Sequence, residues 1–286
     1  MSLRRIAIDF GMSNVKVAVA QPHGSPPILH SLPRTGNASL GEVQRVFQVM
    51  GVAVRDVNVL CVTGGQAHLL PDAFEQARIV KVSEVAAIGR GGLALAELDE
   101  ALIVSAGSGT AMIAARKRGA ECSHVTGSAV GGGTLQGLAR LLIGTTDPHE
   151  IHALAEQGDS NQVDLTLLEA TGGVIGSLPA DANAVNFGKL SSVETRPEQG
   201  SGSVASLQRA DLAAGLVCLV GQVIAVIAIN AARAERLKHI VVIGHLADLP
   251  SVCKVLKTVA GYYHTAIQIA PTPGYGTVLG ALLHDQ

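Results

Sequence analysis

The first residues of the chain form two apolar runs on either side of a polar bend. Ile6 to Ile8 and Val15 to Val19 are rich in β-branched residues, and the turn formers Gly11 and Ser13 lie between them. Two such runs around a short turn predict a tight β-hairpin at the start of the fold.

Similar patterns predict the elements that follow. Leu40 to Met50 has the apolar spacing of a helix, whereas Val57 to Val62 and Ile79 to Val82 have the composition of strands. Ser83 is the expected N-cap of a further helix that begins at Glu84.

The opening pattern recurs near residue 100. Strands predicted from Ala101 to Val104 and from Ala111 to Ala115 flank the turn Gly107-Ser108-Gly109-Thr110. Because each half begins with a strand-turn-strand unit, the sequence suggests two related domains, residues 1–100 and 101–275.

A further glycine-rich turn occurs in the second half. Gly131-Gly132-Gly133-Thr134 leads into a predicted helix from Leu135 to Ile143, which places backbone donors at a helix N-terminus suited to anions. Asp147-Pro148-His149-Glu150 is typical of another helix start. We therefore interpret His149 and His152 as residues of a solvated helix rather than as metal ligands.

Residues 206–237 are predicted to form one long helix. Its stretch from Leu212 to Ile229 is almost continuously apolar, but Gln222 and two glycines interrupt it. This pattern favours a buried helix, or one that pairs with a second subunit, over a membrane span. A last helix at about residues 276–286 is expected to pack on the first domain.

Composition limits the classes of partner. The 286 residues include no Trp, and a formal net charge of −2 arises from basic and acidic residues spread along the chain. Without a basic tail or aromatic clusters, nucleic acid is a poor partner. The four cysteines are widely separated and the N-terminus lacks a signal-peptide pattern, so we expect a cytoplasmic protein with reduced thiols.

The tip of the first hairpin has residues suited to a metal-bound phosphate. Gly11 allows backbone N–H groups to approach an anion, Ser13 can donate from its hydroxyl, and Lys16 can supply a charge. Asp9 can hold Mg²⁺ directly or through water. The alternative is a structural hairpin in which Asp9 caps a turn.

The order of the motifs carries more information than any one of them. The motifs are the Asp9 hairpin, Val82-Ser83-Glu84-Val85, Ser105 to Thr110, Val125 to Leu138, Asn183 to Lys189, and Val241 to Gly244. Together they resemble the actin-like ATPase and sugar-kinase superfamily, and within it the type II, eukaryotic-like pantothenate kinases. The resemblance implies an α/β fold of two actin-like (ribonuclease H-like) domains around a cleft. It also implies transfer of the ATP γ-phosphate to the hydroxyl of pantothenate, the first step toward coenzyme A.

The resemblance also implies roles for individual residues. Glu84 would accept the proton of the substrate hydroxyl, and Asp9 would position Mg²⁺ and that hydroxyl. Nucleotide and phosphate contacts would come from Gly11, Ser13, Lys16, Gly131, Gly132, Gly133, Thr134 and Gly244, and contacts to substrate from Gly107, Ser108, Gly109, Thr110 and His124. Without the other motifs, the position of Glu84 favours a first-turn acid that interacts with the helix dipole, and each glycine is alternatively only part of a tight turn.

Two positions depart from the family pattern. Met12 and Ser13 stand where the family usually has glycine and threonine, which is expected to weaken ATP binding. His124 stands where the family has an arginine that grips the pantothenate carboxylate, and histidine lacks the two-pronged guanidinium.

The sequence therefore predicts an ATP- and Mg²⁺-dependent kinase of pantothenate or a close relative, acting as a homodimer through the long helix. Two alternatives stay open. One is a kinase of another hydroxylated metabolite, and the other is a catalytically silent, actin-like nucleotide-binding regulator.

Overall fold

The structure, a computed structural model, describes residues 5–22, 25–191 and 208–284. Its strands are β1 (Arg5–Phe10), β2 (Asn14–Val19), β3 (Ile28–Pro33), β4 (Val59–Gly64), β5 (Ala73–Phe74), β6 (Ala77–Lys81), β7 (Ala101–Ala106), β8 (Thr110–Arg116), β9 (Glu121–Ser128), β10 (Leu165–Thr166), β11 (Asn183–Val185), β12 (Ile240–Ile243) and β13 (Ile267–Ile269). Its helices are α1 (Leu40–Met50), α2 (Glu84–Ala96), α3 (Gly132–Ile143), α4 (Pro148–Gln157), α5 (Leu167–Thr171), α6 (Arg209–Ala234), α7 (Pro250–Tyr262) and α8 (Gly276–Leu282).

Two sheets share the same arrangement of five strands, and the first has β5 as an additional antiparallel edge strand. The first has the order β3-β2-β1-β4-β6-β5, and the second, from its opposite edge, has the order β9-β8-β7-β12-β13. In each sheet, three antiparallel strands are followed by two parallel ones, β4 and β6 in the first and β12 and β13 in the second. This confirms the expected α/β class and the two related halves.

Helices α2 and α8 lie between the two sheets. Ile88 of α2 packs with apolar side chains of β7, β8 and β12. The opposite side of the layer contains Ala87 of α2 together with Val278 and Ala281 of α8, and this group packs on Ala7 of β1. The last helix therefore contacts the first sheet as expected, whereas the domain boundary near residue 100 stays a prediction.

Glycines allow α2 and α8 to approach backbone to backbone. A Cβ on Gly280 would overlap the Ala87 carbonyl and the Gly91 amide, and a Cβ on Gly91 would overlap the Gly276 carbonyl. Side chains larger than hydrogen at these positions would push the helices apart. Because Glu84 is the first residue of α2, this crossing also fixes where Glu84 lies.

The long helix α6 belongs to the core of the second half. It packs against α3, α4 and α7 through buried residues that include Leu216, Val220 and Ile224. Arg209–Ala234 is long and apolar enough to cross a membrane by length and composition, but 56% of its most apolar window is buried inside the protein. Such burial is typical of a core helix.

The end of the long helix and one strand differ from the sequence predictions. Helix α6 ends at Ala234 and not at residue 237, because Arg236 adopts a left-handed conformation (φ 56°) and the Leu237 amide turns back to the Ala232 carbonyl. Residues 206 and 207 lie outside the described residues, as do 285 and 286 of the last helix. The sequence analysis predicts no strand between Val19 and Leu40, but β3 lies there and pairs with β2 along its whole length.

The helix crossing gives a stability prediction. Gly280→Ala should lower the free energy of unfolding by about 1–3 kcal/mol, since the added methyl group overpacks the α2–α8 contact. Urea denaturation monitored by circular dichroism measures the change.

The matched control is Gly137→Ala on α3, because a Cβ added at Gly137 would have no atom from another part of the protein within 4 Å. That substitution should be neutral or stabilising by up to about 1 kcal/mol. Equal unfolding free energies for the two variants would contradict the close crossing.

Candidate active site

A cavity of about 620 Å³ brings together residues from both sheets. Its lining includes Asp9, Gly11, Met12, Ser13 and Lys16 of the first hairpin, Glu84 of α2, Gly107, Ser108, Gly109 and Thr110 of the second hairpin, Gly132 and Gly133 of α3, and Gly244 and His245 after β12. Most residues that the sequence singled out therefore share one cleft. His124, Gly131 and Thr134 are not among its lining residues.

Asp9 is the buried carboxylate of this cleft. Asp9 and Lys16 face each other across the β1–β2 ladder, and the Lys16 Nζ lies 3.9 Å from the Asp9 Oδ2. Burial raises the pKa of the Asp9 carboxyl, and electrostatic interactions with Lys16 and His245 partly oppose that shift. Among the described residues, no hydrogen-bond donor reaches the Asp9 carboxylate, so it is available to a ligand.

The tips of the two hairpins meet across the cleft. The Ser13 hydroxyl lies 3.3 Å from the Ser108 hydroxyl, although the two residues belong to different sheets. The second tip is held by hydrogen bonds from the Gly107 amide to the Gly109 carbonyl (2.9 Å) and from the Thr110 hydroxyl to the Val130 carbonyl (2.9 Å). An anion between the tips would have hydroxyl donors on both sides.

The N-terminus of α3 supports the second tip. The Gly132 amide donates to the Gly107 carbonyl (2.8 Å), and the Gly133 amide donates to the Ser108 carbonyl (2.9 Å). The Gly131 amide donates to the Thr134 hydroxyl, which itself donates to the Ala129 carbonyl. These amides are thus engaged within the protein, and a direct role of this turn in phosphate binding stays a prediction.

Glu84 projects from the N-terminus of α2 into the cleft. Ser83 caps the helix as expected, because its hydroxyl accepts a hydrogen bond from the Ala86 amide (3.2 Å). Water reaches the Glu84 side chain, but the surrounding protein removes part of its hydration. This desolvation raises the pKa of Glu84, the negative charge of Asp9 raises it further, and Lys16 lowers it. The two carboxylates are therefore electrostatically coupled.

His124 lies on the exposed part of β9, outside the cavity lining. It is paired with Ile113 of β8, whose side chain packs on the α2 side of the sheet. Cross-strand partners project from the same face, so His124 is on the face that carries the Glu84 helix. Its contact with substrate stays a prediction.

The cavity also has an apolar part, which sequence reasoning missed. Leu135, Ile151, Leu246 and Leu249 line it together with the polar side chains of Gln136, His149 and Asp248. His149 is on a helix as predicted, but it faces the cleft and not bulk solvent alone. No local motif marks these residues, because they come from three separate elements that only the tertiary fold unites.

His245 was also missed, although it directly follows Gly244. Its Nδ1 lies 2.6 Å from the Asp248 Oδ2, whereas its Nε2 is buried and has no hydrogen-bond partner among the described residues. Gly244 has φ 98°, and a Cβ there would overlap the Ala106 carbonyl. The turn that brings His245 to the cleft thus requires glycine.

Comparison with proteins of known sequence finds relatives that are described as type II pantothenate kinases. The chain is 23% identical over 235 residues to a type II pantothenate kinase of Bacillus cereus, covering 80% of this chain and 82% of the relative. It is 29% identical over 194 residues to a type II pantothenate kinase of Staphylococcus epidermidis, covering 66% of this chain and 69% of the relative.

Comparison with solved structures supports the fold. The activator of the 2-hydroxyisocaproyl-CoA dehydratase from Clostridium difficile, with bound ADPNP, matches with a TM-score of 0.66 at 15% identity, over 99% of this chain and 94% of that one. At this identity the match supports the two-domain actin-like fold alone.

The family model described as Fumble matches residues 98–284. The chain belongs to the Fumble family.

Proposed function

We propose that this protein is an ATP-dependent kinase that transfers the γ-phosphoryl group to the hydroxyl of pantothenate, the first step toward coenzyme A. Membership of the Fumble family and the two type II pantothenate kinase relatives support this function. The observation that carries the proposal is the single cleft in which Asp9 and Glu84 lie beside the meeting tips of both hairpins.

The polar end of the cleft suits the phosphates of ATP. Gly11, Ser13 and Lys16 supply backbone, hydroxyl and ammonium donors on one side, and Ser108 supplies a hydroxyl on the other. The apolar end, with Gln136 and His149 at its edge, suits a nucleobase. Gly244 lies between these ends in the proposed arrangement, near the sugar of the nucleotide.

Glu84 is the proposed general base. As the substrate oxygen forms its bond to the γ-phosphorus, the Glu84 carboxylate takes the hydroxyl proton, and the bond to the β-phosphate oxygen breaks to release ADP. A raised pKa makes Glu84 a stronger base than an ordinary glutamate. The position of Glu84 at the mouth of the phosphate cleft supports this role.

Magnesium belongs to the same proposal. Mg²⁺ usually binds through one or two carboxylates together with substrate phosphates and water, and Asp9 is a buried carboxylate without a hydrogen-bond donor in the described part of the chain. No group of three or more candidate metal-ligating residues occurs among the described residues, which fits a site completed by the nucleotide. The ion would neutralise phosphate charge.

Fewer observations support the identity of the substrate that accepts the phosphoryl group. Ser108, Gly109 and Thr110 are proposed to contact it, and His124 is proposed to face its carboxylate from β9. Because histidine replaces the arginine expected there, a kinase of another hydroxylated metabolite is the second candidate function.

The proposal includes a cytoplasmic homodimer. Leu219, Val223 and Ile227 lie four residues apart on α6 and are only half buried within one chain. Residues at this spacing form one helix face, which a second copy would cover. We also place the boundary between the two domains near residue 100.

Glu84→Gln tests the catalytic assignment. The amide cannot accept the hydroxyl proton, so turnover of pantothenate with Mg·ATP should fall at least about 100-fold, while ATP affinity changes little. Coupled ADP release and calorimetric titration measure the two quantities.

Glu97→Gln is the control, because Glu97 is exposed at the opposite end of α2. It should keep full activity. An active Glu84→Gln variant would remove Glu84 from the mechanism.

The pH profile provides a second test. Because the pKa of Glu84 is raised, its carboxylate is lost as the pH falls through values above those of an ordinary glutamate. The acid limb of kcat/KM should therefore lie above the usual glutamate pKa of about 4.3. An acid limb at or below that value would contradict the predicted environment of Glu84.

The dimer is tested by Val223→Glu, which puts a charge in the proposed α6 interface. Sedimentation velocity should show a dimer for the wild type and a monomer for this variant. Val49→Glu, on an exposed face of α1, should leave the dimer intact. A monomeric wild type would refute this part of the proposal.

A further inference from the structure

Arg34, just after β3, is attached to the tip of the first hairpin. Its Nη1 donates to the Gly11 carbonyl (3.1 Å) and its own backbone amide donates to the Ser13 carbonyl (3.3 Å). The Gly11 and Ser13 carbonyls therefore both point toward the Arg34 segment. Neither the sequence motifs nor the family resemblance singled out this residue.

The guanidinium is itself held in place. Its Nε donates to the Gly36 carbonyl (2.8 Å), and its Nη2 donates to the Asn37 side-chain oxygen (3.1 Å). The guanidinium is thus anchored within the segment before α1 by two hydrogen bonds, and a third joins it to the Gly11 carbonyl of the hairpin tip. A side chain with a single polar atom cannot reproduce this set of contacts.

The direction of the Gly11 carbonyl determines the direction of a neighbouring amide. In a planar trans peptide, the C=O of one residue and the N–H of the next point in opposite directions. Because the Gly11 carbonyl faces Arg34, the Met12 N–H faces away from Arg34. Within the described residues, neither the Met12 amide nor the Ser13 amide has a hydrogen-bond partner.

Two successive free amides at a turn can hold an anion. Met12 and Ser13 both line the cavity, next to the Ser108 hydroxyl and to Lys16. Met12 is 75% exposed, and its sulfur lies 3.9 Å from the Arg34 Nη1, on the side of the tip that faces Arg34. The side chain at this position thus leaves the backbone donors open.

We propose that Arg34 is a positioning residue for phosphate binding: its guanidinium holds the Gly11 carbonyl outward and so keeps the Met12 amide, beside the Ser13 amide, available to the nucleotide phosphates. The inference rests on the proposed function for the identity of the ligand. It explains how a tip with methionine in place of a second glycine keeps a conformation that binds an anion.

Arg34→Ala and Arg34→Lys test the inference in the full-length protein. Arg34→Ala should weaken the affinity for Mg·ATP and Mg·ADP about tenfold, as expected for the loss of a few hydrogen bonds that order a loop. The affinity for adenosine should not change, because the nucleoside has no phosphate to contact the tip. Calorimetric titration with the three ligands gives this comparison.

Steady-state kinetics provide the second readout. The KM for ATP should rise in Arg34→Ala, while kcat at saturating ATP and the KM for pantothenate stay close to wild type. Arg34→Lys should be intermediate. Added guanidinium at millimolar concentration should restore part of the ATP affinity of Arg34→Ala, and it should not affect the wild type.

The control is Arg78→Ala, an exposed arginine on β6 of the same sheet. It should behave as wild type in every assay. Equal losses of ATP and adenosine affinity in Arg34→Ala would show a general structural effect and overturn the inference, as would unchanged ATP affinity. A wild-type protein that binds no Mg·ATP would instead refute the proposed function itself, so the two failures are distinguishable.

Discussion

The close packing of α2 on α8 is the contact on which the rest of the structure depends. These helices fill the layer between the two sheets, and their backbones meet at Gly91 and Gly280, where a Cβ on either residue would overlap the opposite chain. The distance between the two helices determines how near the two sheets lie. It therefore determines whether Ser13 of one hairpin reaches Ser108 of the other. Since α2 begins with Glu84, the same contact places the proposed base at the cleft. The packing of two helices thus contributes to the geometry of the cleft.

The buried carboxylate of the cleft has an electrostatic cost for folding, and a role in function would explain its presence. Burial raises the pKa of Asp9, which means that folding disfavours the ionised carboxylate relative to the unfolded chain. A neutral residue at this position would not carry that cost, but it could not hold a cation. Glu84, which feels the charge of Asp9, is shifted in the same direction. Two coupled carboxylates with one nearby lysine form an arrangement that a divalent cation and a polyphosphate would complete.

Much of this arrangement could be predicted from the sequence, because the informative residues are local. β-Branched runs around Gly11 predicted the first hairpin, Ser83 predicted the start of α2, and the order of the glycine motifs predicted the two related sheets. The contributions of Arg34, Gln136 and His245 could not be predicted, since each depends on chain segments that only tertiary packing brings together. Strand β3 was missed because polar and proline residues obscure its alternation. The Gly132 and Gly133 amides of α3 donate to the second hairpin, a contact that the glycine motif did not predict, and their role toward a ligand stays a prediction.

The most direct test of the account is a crystal structure of the protein with a nonhydrolysable ATP analogue, Mg²⁺ and pantothenate. The account predicts that the terminal phosphate lies between the tips at Ser13 and Ser108, and that the Glu84 carboxylate is within hydrogen-bonding distance of the pantothenate hydroxyl. A nucleotide bound elsewhere, or a pantothenate hydroxyl remote from both Glu84 and the terminal phosphate, would contradict it.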